Sequence, residues 1–214
     1  MSLNTILLQD AFDDNSFDTD KWVESTNAGS LVAEQNGRLE MAGNANLSCF
    51  IRSKNAFIPR NSEVIAKVSQ HCTNGGIKFC PTIVINHQWD VYSEANWYNL
   101  QTDVSTTLSP NVKDAGSTAQ VGGNSPTLTV PYWVRMRIYD KKIYFDYCSN
   151  RTEMPGPQDW INISSEDWDM GTNIDQAQYL YISGYNTPST GVSYWNNFVW
   201  RRLKSPFPIF HPIV

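Results

Sequence analysis

The chain has 214 residues, 41% of them hydrophobic and only 17% charged, with a formal net charge of −5. That length fits one large domain able to bury a real core. The absence of a basic tract argues against a nucleic-acid partner, which needs cations to neutralise phosphates, and no segment has the apolar length to span a bilayer. The opening MSLNTILLQDAF lacks the basic region and apolar run of an export signal, so synthesis and folding in a cytoplasm are expected. Cys49, Cys72, Cys80 and Cys148 match no zinc spacing. They are expected to be free thiols, with a Cys72–Cys80 bridge across a hairpin as the lesser alternative.

Along the chain, helical periodicity is almost absent and strand-like alternation recurs between Gly, Asn, Pro and Asp. SLVAEQNGRLEMAG reads as two strands around Asn36-Gly37, a strong hairpin signal. In SEVIAKVSQH, Val64, Ala66 and Val68 fall on one face, and Glu63, Ile65, Lys67 and Ser69 on the other. GGIKFCPTIVINH is more uniformly apolar, as in a strand covered on both sides, and NWYNLQTDV follows it. Residues 110–127 are rich in Gly, Ser and Asn and are expected to be a long loop with one weak strand. In YWVRMRIYDKKIYFDYCS, Val134, Met136 and Ile138 oppose Trp133, Arg135, Arg137 and Tyr139. After a turn at Asp140-Lys141, Ile143, Phe145 and Tyr147 alternate with Tyr144, Asp146 and Cys148. QYLYISGY and VSYWNNFVWRRL supply the last strands. About a dozen short strands with few helices predict an all-β antiparallel sandwich. The expectation is one domain over residues 1–204, followed by a Pro-rich apolar tail over residues 205–214.

Three stretches resemble concanavalin A-like jelly-roll domains of the lectin, laminin-G and glucanase type. They are DAFDDNSFDTDKW with VAEQNGRLEM, then YWVRMRIYDKKIYFDYCSNRTEMPGPQDWINI, and finally the closing GVSYWNNFVWRRL. The resemblance covers most of residues 6–203 and implies two antiparallel sheets with one concave face. It spans glycan hydrolases, lectins, adhesive modules and virion proteins, so it does not decide function. It also implies that the acidic start is architectural: Asp and Asn side chains close turns on their own backbone, while Phe12, Phe17 and Trp22 enter the core. The sharper alternative is calcium, the one candidate cofactor, held by Asp13, Asp14, Asp18 and Asp20 with Asn15. The stretch lacks the spacing and glycine of an EF-hand loop.

Glucanases of this type carry Glu-x-Asp-x-x-Glu on one strand, and a retaining pair needs carboxyl groups about 5 to 5.5 Å apart. No Glu-x-Asp-x-x-Glu occurs here. Glu166, Asp167 and Asp169 of SEDWDMG read as loop acids. His71, His87 and His211 form no metal pair, and no nucleophile elbow is present. The expectation is therefore a protein without catalysis. Sugars stack on aromatic faces while polar groups meet their hydroxyls. Strand parity offers Trp133, Arg135, Arg137, Tyr139, Tyr144 and Asp146 on one face, and Tyr179, Tyr181 and Tyr185 on a neighbouring strand. Trp89, Tyr92, Trp97 and Tyr98 form a further group. The structural alternative is that these aromatics serve packing and that Arg135 or Arg137 pairs with Asp146 across the hairpin.

In the tail KSPFPIFHPIV, three prolines forbid a regular element. Phe207, Ile209, Phe210 and Ile213 either pack on the sandwich or dock on another subunit, giving a homo-oligomer. A lectin-like fold without an export signal fits a phage protein made in host cytoplasm and released by lysis. The leading expectation is a virion surface component, a capsid decoration or tail-associated protein adhering to glycans or to other virion subunits. The alternatives are a free-standing carbohydrate-binding protein and a glycoside hydrolase with an atypical carboxylate pair.

Overall fold

A computed structural model describes residues 5–26, 29–43, 48–70, 76–80, 97–102, 107–114, 117–120, 122–163, 168–185 and 192–203. The strands in chain order are β1 (Ile6–Asp10), β2 (Trp22–Ser25), β3 (Leu31–Gln35), β4 (Arg38–Ala42), β5 (Ser48–Ser53), β6 (Ser62–Gln70), β7 (Gly76–Cys80) and β8 (Trp97–Thr102). They continue as β9 (Leu108–Asp114), β10 (Ser117–Gln120), β11 (Tyr132–Tyr139), β12 (Lys142–Ser149), β13 (Ile161–Asn162), β14 (Trp168–Asp169), β15 (Tyr179–Tyr185) and β16 (Ser193–Arg202). Only two short 3₁₀ turns, Pro157–Asp159 and Gly171–Asp175, interrupt this all-β pattern among the described residues.

The strands form two antiparallel sheets. The nine-stranded sheet runs β13-β12-β11-β6-β16-β4-β3, with β1 added to β16 and β14 to β12. The seven-stranded sheet runs β10-β9-β8-β7-β15-β5-β2. Alternation explains the core between them. Val64, Ala66, Val68, Val134, Met136, Ile138, Ile143, Phe145 and Tyr147 point inward from the first sheet. Ile51, Ile77, Tyr98, Leu100, Val112, Leu180 and Ile182 meet them from the second.

Both expected hairpin turns form. Asn36 and Gly37 adopt φ values of 56° and 69°, and Asp140 and Lys141 adopt 47° and 66°. Each loop has two residues, because Gln35 pairs with Arg38 and Tyr139 with Lys142. Left-handed backbone at both positions matches the twist of the flanking strands. The opening acidic stretch delivers Phe12 and Trp22 to the core, where their rings lie 5.8 Å apart, and the partly buried Phe17 packs against that core.

Of the stretch expected as a long loop with one weak strand, residues 110–114 and 117–120 belong to the paired strands β9 and β10, and residues 123–127 are irregular as expected. Pro110 is tolerated in β9 because β10 pairs only with Asn111–Asp114, so Pro110 lies beyond that ladder. Cys49 and Cys148 are buried thiols outside any disulfide. Cys72 lies outside the described residues, as do the tail residues Phe207, Ile209, Phe210 and Ile213.

Candidate functional site

The outward side chains of β11 and β12 are brought together as expected, but as a closed ion network. Asp146 is 1% exposed. It accepts from Arg135 Nε at 2.9 Å, Arg137 Nε at 2.7 Å, an Arg137 terminal nitrogen at 3.0 Å and Asn162 Nδ2 at 3.1 Å. The register continues the alternation of charge, since Glu63 on β6 pairs with Arg137 on one side and Arg201 on the other. The Glu63 carboxylate lies 2.6 Å from Arg201 and 3.7 Å from Arg135. Burial draws the Arg135 pKa down against the pull of Asp146. At Arg137 burial acts in the same direction, but Asp146 outweighs it and the pKa is raised.

The stacking role expected of Trp133 and Tyr144 is corrected here. Trp133 is 1% exposed, packed with Ile65, Cys148, Val199 and Trp160, and its indole donates to the Arg151 carbonyl at 3.2 Å. Tyr144 is also buried, and the Arg137 guanidinium lies over its ring at 5.2 Å. The physical reason is the segment after β12. Arg151 pairs with Asp159 at 2.6 Å, Trp160 lies over Arg135 at 4.2 Å, and Lys67 donates to the Thr152 carbonyl. That segment covers the face that parity alone would leave to solvent.

A second correction concerns grouping. β15 belongs to the other sheet, so Tyr179 and Tyr181 lie on the opposite outer face of the sandwich from Arg135 and Asp146. The two sets cannot share one ligand, because two sheets and their core separate them. Tyr98 points into the core, where its hydroxyl accepts from Asn173 at 3.0 Å. The side chains of Trp97 and Tyr185, and all of Trp89 and Tyr92, lie outside what is described.

The outer face of the seven-stranded sheet holds a continuous polar row. Successive antiparallel registers align Asn111, Asn99, Lys78, Tyr181 and Arg52 across β9, β8, β7, β15 and β5. Gln101 and Ser109 flank the row on one side with Ser183; Lys113 and Tyr179 flank it on the other. The centre is enclosed: Lys78 is 2% and Tyr181 1% exposed, and Asn99, Lys113 and Ser183 are buried. The rim of Arg52, Gln101, Ser109, Asn111 and Tyr179 is half-buried, with Arg52 5.2 Å from the Tyr179 ring. Gly76 opposes Ser183, and a Cβ there would lie 2.5 Å from the Leu100 carbonyl and 3.1 Å from Asn99 Oδ1. Only glycine fits that approach. On either side of it, Asn99 Oδ1 and Ser183 Oγ are enclosed without a hydrogen-bond partner. Of this row only Tyr181 was anticipated. Lys78, Asn99, Asn111 and Arg52 stand as alternating polar residues in GIKF, WYNLQ, LSPNVK and SCFIRS, but nothing in sequence aligns the four strands.

Two of the four opening aspartates, Asp14 and Asp18, close turns on the local backbone. Asp14 Oδ1 accepts the Ser16 N–H at 3.0 Å, and Asp18 Oδ1 accepts those of Asp20 and Lys21. Lys21 bonds to Asp18 at 2.9 Å, which lowers the Asp18 pKa and raises its own. Asp20 lies 3.6 Å from Lys54, and Asp13 is exposed. Asp13, Asp14, Asp18 and Asp20 therefore do not converge. Among the described residues no three His, Cys, Asp or Glu side chains are grouped to hold a metal.

No protein-family model matches the chain, and no curated protein matches it in sequence. Its structure, however, is shared. It superposes on the catalytic domain of an endo-1,3-beta-glucanase (laminarinase) from Thermotoga petrophila RKU-1 with TM-score 0.63 and 8% identity, over 95% of this chain and 100% of that one. A legume lectin-like domain from Entamoeba histolytica matches with TM-score 0.54 and 14% identity, over 86% and 91%. A xylan beta-1,4-xylosidase from Bacillus halodurans C-125 matches with TM-score 0.63 and 10% identity, over 94% of this chain but 40% of that one. The fold is thus a concanavalin A-like jelly-roll sandwich, an architecture used by both hydrolases and lectins.

Proposed function

We propose that this protein binds a glycan without cleaving it, along the outer face of its seven-stranded sheet. The observation that carries the reading is the half-buried rim of Arg52, Gln101, Ser109, Asn111 and Tyr179, aligned by strand register around the enclosed Asn99, Lys78 and Tyr181. Amides, hydroxyls and cations there meet the donor and acceptor capacity of sugar hydroxyls, and the Tyr179 ring offers a half-buried aromatic face at the edge. Glycoside hydrolysis requires a carboxylate pair facing the sugar. Among the described side chains, the strand positions of this face carry Ser109, Asn111, Lys113, Gln120, Asn99, Gln101, Lys78, Tyr179, Tyr181, Ser183, Phe50 and Arg52, and none of these is an acid. That supports binding over turnover.

A glycan array probed with the purified protein, with and without calcium, is the test. Arg52→Ala and Asn111→Ala should each lower binding about tenfold, the worth of one good polar contact, while leaving the unfolding midpoint in place. Unaltered binding in both variants refutes the placement of the site, and release of reducing sugar from a bound oligosaccharide refutes the absence of catalysis. The setting proposed is a virion surface, with assembly through residues 205–214; the apolar composition of that tail supports it. Absence of the protein from purified virions by peptide mass spectrometry removes that setting and leaves a free-standing lectin-like protein.

A further inference from the structure

Residues 204–214 carry Phe207, Ile209, Phe210, Ile213 and Val214 among three prolines, and the point at which the chain leaves the sandwich is fixed. The end of β16 runs out between two neighbours. The Arg202 N–H donates to the Thr5 carbonyl at 2.8 Å, and the Leu203 N–H donates to the Asn61 carbonyl at 2.7 Å. An exposed isoleucine stands on either side of that exit. Ile6, next to Thr5, is 47% exposed, and Ile58, three residues before Asn61, is 44% exposed. Both belong to the same end of the sandwich. Ile6 pairs with Arg201 on β16, and Ile58 follows Phe57, whose ring meets Trp200 of the same strand edge-on at 5.1 Å. Leu203 is half-buried. Of the four large apolar side chains exposed among the described residues, two therefore flank the exit of the apolar tail.

The proline spacing decides whose tail fits there. A residue before proline is held extended, so Pro206 restricts Ser205 and Pro208 restricts Phe207. A tight reversal with Pro206 at its second position needs Phe207 in a turn conformation at its third, and Pro208 disfavours that. The sequence thus predicts a segment that continues outward from Leu203. Extended, the four residues to Phe207 span about 13 Å. Ile6 and Ile58 stand beside the exit itself, so the chain's own Phe207 is carried past them, whereas the arm of a second copy can come back onto them. Two copies that exchange arms close a symmetric pair, each supplying one arm and one receiving surface.

We propose that Ile6 and Ile58 receive Phe207 and Ile209 from a second copy of this chain, the two copies exchanging their tails. This names the receiving surface for the assembly through residues 205–214 proposed above, and it rests on that reading. The contact removes apolar side chains of both partners from water. The prolines favour it, because an arm with few accessible conformations loses less entropy when it docks. They also keep the arm from pairing as a regular strand, so side-chain packing rather than a hydrogen-bond ladder holds it.

The experiment uses the full chain and reads its mass by light scattering over a concentration series, with circular dichroism to check the fold. The wild type should show twice the mass of one chain. Ile6→Asp and Ile58→Asp should each weaken the pair by about tenfold or more. Ile161→Asp, similarly exposed but on β13 at the far edge of the same sheet, should not change it. Ile58→Asp lacks the receiving surface and Phe207→Asp lacks the arm, so at a concentration where each is monomeric their mixture should associate. A mixture that stays monomeric overturns the exchange. If Ile6→Asp and Ile58→Asp pair like wild type while deletion of residues 205–214 gives a monomer, this surface is overturned and assembly through the tail stands. Pairing that survives the deletion, or a wild type monomeric at every concentration, overturns both.

Discussion

Replacing Asp146 by alanine removes the acceptor of four hydrogen bonds from Arg135, Arg137 and Asn162. The Arg135 and Arg137 side chains are only 11% and 28% exposed, so they cannot turn to water without lifting the segment that carries Trp160. Breaking a buried pair by removing one partner costs about 3 to 5 kcal/mol, because the remaining charge stays enclosed. Here Glu63 is 3.7 Å from Arg135 and offsets part of the loss, which places the expectation near the lower figure, about 3 kcal/mol. In a domain of this length each kcal/mol moves the thermal midpoint by about 2 to 4 °C, so a fall of about 6 to 12 °C is expected. Urea unfolding measures the free energy directly. Asp146→Asn, which retains an acceptor oxygen, should lose less. Adding Arg137→Met to Asp146→Ala should recover part of the loss, since an apolar replacement removes the stranded charge. A fall below about 1 kcal/mol in Asp146→Ala refutes the reasoning, because an effect that small belongs to exposed pairs. Glycan binding by the folded variant should match wild type, the network lying on the opposite face from the proposed site.

Trp133→Ala should destabilise by about 3 to 5 kcal/mol, as for a large core aromatic, rather than abolish sugar binding in an intact fold; a variant of unchanged stability contradicts its packing. Stability should fall as pH rises from 4.5, the ordinary value for Glu34, to about 7 and then level off. The sign follows from a folded pKa above the unfolded one: the folded state binds the proton more tightly, so the burial cost of Glu34 appears as it ionises. The fall is on the order of 3 kcal/mol at most, and Glu34→Gln should remove the slope in a pH series of urea unfolding. Deleting residues 205–214 should abolish oligomerisation, measured by light scattering, while circular dichroism stays native; a truncated chain that still assembles places the contact elsewhere.

Much of the fold was legible because a strand reverses face at every residue. Val64, Ala66 and Val68, Val134, Met136 and Ile138, and Ile143, Phe145 and Tyr147 all reached the core that their alternation assigned. Asn36-Gly37 and Asp140-Lys141 fixed two registers through local backbone preference. Pairing of Arg135 and Arg137 with Asp146 was also readable, since a hairpin register is local.

Alternation states which side a residue faces and not what lies on that side. Only the tertiary structure placed Trp160 over Arg135 and so closed the face around Trp133. Only the strand order put Tyr181 in one sheet and Asp146 in the other, and it aligned Asn111, Asn99, Lys78 and Arg52 beside Tyr181 from four distant segments. Glu34 looks like an ordinary polar residue before a turn. Its burial arises in the tertiary structure, where the loop between β1 and β2 meets the β3–β4 turn and Asn15 accepts the Gly37 N–H, a contact between segments that neither sequence specifies alone. Local patterns act through the backbone of neighbouring residues, whereas coverage and charge environment come from chain segments brought together by the core they share.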